Sequence, residues 1–110
     1  MVAMKRNAWW MIGVLAGAAA ALPSLAAPPD VLAKNAGCSA CHAVDHKILG
    51  PSYHDIAARF KSDPQAAATL AAKVRAGSKG DWGPVPMPAV DAARISDADL
   101  GSLIGWILKQ

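Results

Sequence analysis

The chain has 110 residues and a net charge of +3. Without the two N-terminal cations Lys5 and Arg6 that falls to about +1, so nucleic-acid binding is left without an electrostatic footprint. Apolar residues make up 54% but aromatics only 5%, and alanine supplies much of the difference. A single domain of this size therefore lacks the large side chains that would fill a core by themselves.

The N-terminus reads as an export signal. Lys5 and Arg6 precede an uncharged apolar run from Trp9 to Leu22, Pro23 breaks it, and Ser24-Leu25-Ala26 offers a small-x-small cleavage pattern. As a helix that run would reach about 21 Å, short of the roughly 30 Å hydrocarbon core of a bilayer. Residues 1–26 are expected to be removed, leaving 27–110 as one exported domain. An uncleaved anchor is the alternative, since no charge lies between Arg6 and Asp30.

After Pro28 and Pro29, Asp30 is placed to cap a first helix running to about Ala36, with Gly37 as its stop. Cys38-Ser39-Ala40-Cys41-His42 follows at once. Thiols three residues apart share one face of a helical turn. They can add across the two vinyl groups of a protoporphyrin, with the next histidine beneath the iron. The pattern predicts one covalent haem c held by Cys38 and Cys41, with His42 as an axial ligand. Such a plate would also supply the missing apolar centre. Rival readings are weaker: a thioredoxin-like dithiol needs a βαβ setting, zinc needs a fourth ligand, and a disulfide would close a very small loop.

Further along, Asp55–Phe60 forms a short helix with Ile56 and Phe60 at i, i+4 on its buried side. Asp63-Pro64 signals a third helix, an N-cap carboxylate before a first-turn proline, ending at Ala76 with Gly77 as the stop. Leu70 and Val74 point inward from it. From Gly77 to Ile95 the chain is rich in glycine and proline, and a long connection of this kind in a small domain is usually functional. Met87 lies inside it between Pro86 and Pro88. Because Met1, Met4 and Met11 belong to the signal, Met87 is the only methionine in 27–110. A thioether is a workable iron ligand, so Met87 is the candidate for the second axial position; filling a core gap is the plainer alternative. His46 and His54 compete for the same role, but His46 follows His42 too closely and His54 sits at a helix start. Ser96 with Asp99 resembles a capping box. It opens a last helix with Leu100, Leu103, Ile104, Ile107 and Leu108 on one stripe. No strand alternation is visible, and the expected fold is all-α, about four short helices around one haem.

Taken together, Gly37 through His42, Gly50-Pro51-Ser52-Tyr53, Trp82-Gly83-Pro84-Val85-Pro86-Met87-Pro88 and Trp106 resemble the small bacterial class I cytochromes c, in particular the short periplasmic five-fifty-one-type group. The resemblance implies that the Pro51 carbonyl accepts the Nδ1 proton of His42. It also implies that Trp82 donates its indole N–H to a haem propionate, with Lys73 as a further charge contact. Two departures stand out: Ala89 follows Pro88 where the family usually has a second proline, and Val90–Ile95 is a few residues longer.

The expected function is a soluble, monomeric, periplasmic one-electron carrier rather than an enzyme, since filled axial positions keep substrate from the iron. The resemblance places the docking rim at Ile48, Leu49, Pro84, Val85, Pro86, Pro88 and Ala89, with Lys47 nearby. Suitable partners are a quinol-oxidising complex as donor and a terminal oxidase, nitrite reductase or peroxidase as acceptor. The other classes are an enzyme or gas sensor with an open distal site, and a haem subunit tethered to a respiratory complex.

Overall fold

Pro29, not Asp30, opens the first helix. In a computed structural model that describes residues 27–110 together with Gly13 and Gly17, α1 spans Pro29–Asn35. Its first backbone bond, from Leu32 N to Pro28 O, is 3.0 Å. A proline at the first helical position has its φ already set and lacks only a donor that would go unused. Asp30 makes no side-chain cap and instead sits in the first turn, where a carboxylate suits the helix dipole. The proposed signal and its cleavage point lie outside the described residues, Gly13 and Gly17 apart. No helix among the described residues is long and apolar enough to cross a membrane.

Gly37, at φ +87°, turns the chain out of α1 into a single 3₁₀ turn over Cys38–Ala40. The next helix, α2 (Tyr53–Phe60), starts two residues before the expected Asp55. Ser52 is its cap, and Ser52 Oγ accepts from Asp55 N at 3.1 Å. By contrast α3 (Ala66–Ala76) starts later than Asp63-Pro64 suggests. The Asp63 carboxylate does accept a backbone N–H, from Gln65 at 2.8 Å, but Pro64 and Gln65 form a turn before the helix proper. The last helix, α4 (Asp97–Ile107), has its cap where expected: Asp99 N donates to Ser96 Oγ at 3.1 Å.

Between α3 and α4 lies a feature the sequence did not suggest, an antiparallel hairpin of β1 (Ser78–Gly80) and β2 (Gly83–Met87). Gly80 and Gly83 take φ of +86° and +115° around the Asp81-Trp82 turn. The two prolines of β2 cannot donate to a ladder, and an isolated pair with open edges is a place that tolerates them. The fold remains a four-helix one with this minor sheet.

The core gathers where α4 meets α1 and α3. Leu100, Leu103 and Ile104 pack with Leu32, Ala33 and Ala36, and with Val90 and Ile95 from the connection; Leu70 and Val74 flank them. Among the described residues, Leu103 and Ile104 are the largest side chains that are fully buried, in keeping with a core short of bulk. The connection is fastened from α3. Val90 N donates to Val74 O at 2.9 Å, and Arg75 donates to Val90 O (3.2 Å), Ile95 O (2.9 Å) and Asp97 Oδ1 (2.7 Å).

Candidate functional site

Beside this core lies a cleft of about 320 Å³, within the roughly 300–1,000 Å³ typical of small-molecule sites. Its walls are largely apolar: Leu70 and Val74 from α3, Ile56 and Phe60 from α2, and Leu100, Leu103, Ile104 and Ile107 from α4. Cys38, Cys41 and His42 line it on one stretch of chain, and Met87 lines it from the end of β2. The 3₁₀ turn brings the cysteines together. Cys41 N and His42 N both donate to Cys38 O, at 3.0 and 2.9 Å. Burial pushes the Cys38 thiol up from its ordinary value, its own backbone hydrogen bond works against that, and Cys41 adds to the rise.

His42 is held by its surroundings. Its Nδ1 lies 2.7 Å from Pro51 O; a carbonyl can only accept, so Nδ1 carries a proton, and in the neutral ring the lone pair is then on Nε2. Gly50 approaches so closely that a Cβ there would lie 2.6 Å from His42 Cε1. The Tyr53 ring stacks on the imidazole, with centroids 5.7 Å apart and planes 20° apart, and meets Trp106 edge-on at 5.5 Å and 75°. Tyr53 is buried, its hydroxyl has no protein partner among the described residues, and burial pushes its pKa up to about 12.

The position of Met87 in the cleft is set by its backbone. It pairs with Ser78 across the hairpin, and Gly77, at φ +78°, sits where a Cβ would be 2.9 Å from Met87 O. The competing histidines are elsewhere. His46 is exposed and hydrogen-bonded to Asp45 at 2.9 Å, His54 is exposed on α2, and neither lines the cleft.

Polar groups collect at the hairpin end of the cleft. Lys73 forms an ion pair with Asp81. The Arg59 guanidinium lies 3.4 Å from the Trp82 ring centroid and donates to Asp81 O at 2.8 Å. Trp82 and Lys73 were singled out by resemblance. Arg59 and Asp81 were not, and Tyr53 entered only as part of the Gly50–Tyr53 motif without a role, because their partners lie far along the chain and leave no local pattern.

The donor set fits a haem. One cleft presents two thiols at i, i+3, an imidazole with a free Nε2 and a thioether, inside walls suited to an apolar plate. Among the described residues no group of three or more His, Cys, Asp or Glu side chains gathers to hold a metal by itself.

Comparison with known proteins gives the same picture. The family model described as cytochrome c matches residues 26–110. The chain is 48% identical over 82 residues to cytochrome c-551 of Pseudomonas aeruginosa, covering 74% of this chain and 76% of that one. It is 41% identical over 103 residues to cytochrome c-552 of Nitrosomonas europaea, covering 94% and 96%. The crystal structure of wild-type Nitrosomonas europaea cytochrome c552 superimposes with a TM-score of 0.67 at 45% identity, covering 73% of this chain and 96% of that one.

Proposed function

Since the chain belongs to the cytochrome c family and carries one covalent haem c through its CxxCH cysteines Cys38 and Cys41, we propose that it is a periplasmic respiratory electron carrier whose iron is held between His42 Nε2 and Met87 Sδ. One observation carries the ligand assignment: of the methionine and three histidines in 27–110, only Met87 and His42 line the cleft.

When bound, the haem supplies a one-electron Fe(III)/Fe(II) couple. The protein's share is to hold that couple in one rigid setting. Cys38 and Cys41 tether the group, and the Pro51 carbonyl accepts the Nδ1 proton of His42, which orients the ring with Nε2 as the donor atom. Met87 contributes an uncharged sulfur, which favours Fe(II) and raises the potential. The apolar walls would exclude water, and with His42 and Met87 both holding the iron no position would remain for substrate. In this reading Trp82 and Lys73 hold the propionate end.

Electrons leave by the exposed apolar rim, where Ile48, Leu49 and Val85 are 44%, 56% and 55% exposed. Such a rim suits small, short-lived contacts between redox proteins. It would meet a quinol-oxidising complex as donor and a terminal oxidase, nitrite reductase or peroxidase as acceptor. Residues 1–26 serve as a cleaved export signal, and the mature chain works as a soluble monomer.

Carbon monoxide tests the assignment. The reduced protein is expected to show an unchanged spectrum under the gas; ready binding would mean an open distal site and an enzyme or sensor.

A further inference from the structure

An axial imidazole can rotate about its Cβ–Cγ bond, where the torsional preference is broad. A single hydrogen bond from Nδ1 to Pro51 O prevents a flip but leaves the ring free to tilt about that bond. Fixing the plane needs contact with the face of the ring. Gly50 packs closely on the ring, where a Cβ would lie 2.6 Å from His42 Cε1, and Tyr53 adds an offset stack, 20° from parallel with centroids 5.7 Å apart. The tyrosine is itself immobilised. It is 4% exposed, its N–H donates at 2.9 Å to the carbonyl of Ala43, the residue following His42, and Trp106 presses edge-on against it at 5.5 Å.

We propose that Tyr53 is a positioning residue for the proximal ligand: its ring, braced by Trp106, sets the plane of the His42 imidazole, and its hydroxyl takes no part. The proposal rests on the reading of His42 as an iron ligand. Three residues from three places in the chain then form a stack that leads from the ligand to α4, so a change on the last helix would be felt at the iron. Packing of this kind acts together with the hydrogen bond to Pro51 in holding the ligand.

The test uses the haem-loaded ferric protein and reads the pattern of hyperfine-shifted haem methyl resonances, which responds to the orientations of the axial ligands, together with the Met87 methyl resonance, which shows whether the thioether has moved. Tyr53→Phe is expected to match the wild type, whereas Tyr53→Leu should redistribute the methyl shifts with the haem still attached. Should Tyr53→Leu fail to fold, Trp106→Leu removes only the brace and should shift the pattern in part. A wild-type pattern in every folded Leu variant would overturn the proposal, as would a Tyr53→Phe pattern as altered as that of the Leu variant. Failure of the ligand assignment looks different: the wild-type protein itself would then lack a histidine-ligated low-spin signature.

Discussion

Gly77 and Met87 touch through their backbones: a Cβ on the glycine would lie 2.9 Å from Met87 O and 3.0 Å from Ala89 N. The end of α3 thus supports the loop that carries Met87, the proposed distal ligand, and the support depends on the absence of a side chain. Gly77 also has φ +78°, a left-handed conformation that L side chains rarely adopt.

Gly77→Ala is therefore expected to cost about 1–3 kcal/mol, and to do so by displacing the Met87 segment. Chemical denaturation measures the loss. Carbon monoxide binding by the folded, reduced variant separates loop displacement from general weakening, because only displacement opens the sixth position.

Arg75 fastens the same connection from its other end. Its guanidinium bridges Val90 O, Ile95 O and Asp97 Oδ1, and its side chain is only 24% exposed. Arg75→Met should leave two carbonyls unpaired and lower stability by about 1–3 kcal/mol. Asp97→Ala should cost far less, about 0–1 kcal/mol, because that carboxylate is 91% exposed. Equal losses in paired denaturation curves would show that the ion pair, and not the carbonyl clamp, does the fastening.

Charges at the hairpin end of the cleft should tune the couple with opposite signs. Asp81→Asn removes an anion and frees Lys73, disfavouring the more positive Fe(III) state, so the reduction potential should rise. Arg59→Gln removes a cation, and the potential should fall. Both groups are solvent-accessible, so each shift should stay below the roughly 59 mV that marks a tenfold change and shrink with added salt. Voltammetry at two ionic strengths decides; shifts of the same sign would point to disruption of the Trp82 contact instead.

What could be read directly from the sequence was what depends on near neighbours. The Cys38–His42 run is contiguous, the Ser96 cap acts over three residues, and Met87 stood out as the one methionine in 27–110. Three helix starts slipped by two residues each because Pro29 and Ser52 act as start signals and Pro64 opens a turn. The hairpin was illegible, since glycine and proline erase strand alternation and the pairing follows from chain reversal at Asp81-Trp82. The contacts of Arg59 and Arg75 reach partners 15 to 23 residues away, and those of Tyr53 run to Trp106 on the last helix. No local spacing announces such pairs.

The central claim is that Met87 is the distal ligand of a closed, six-coordinate carrier. The most direct measurement is the reduction potential of Met87→Ala under nitrogen and under carbon monoxide. Cys38 and Cys41 should keep the haem on the polypeptide, so the variant remains pigmented. Loss of the thioether should lower the potential, whether the site stays open or is captured by His46 or His54. An open site should bind the gas when reduced, pulling the potential back up. A potential equal to that of the parent protein, with no response to carbon monoxide, would contradict the assignment.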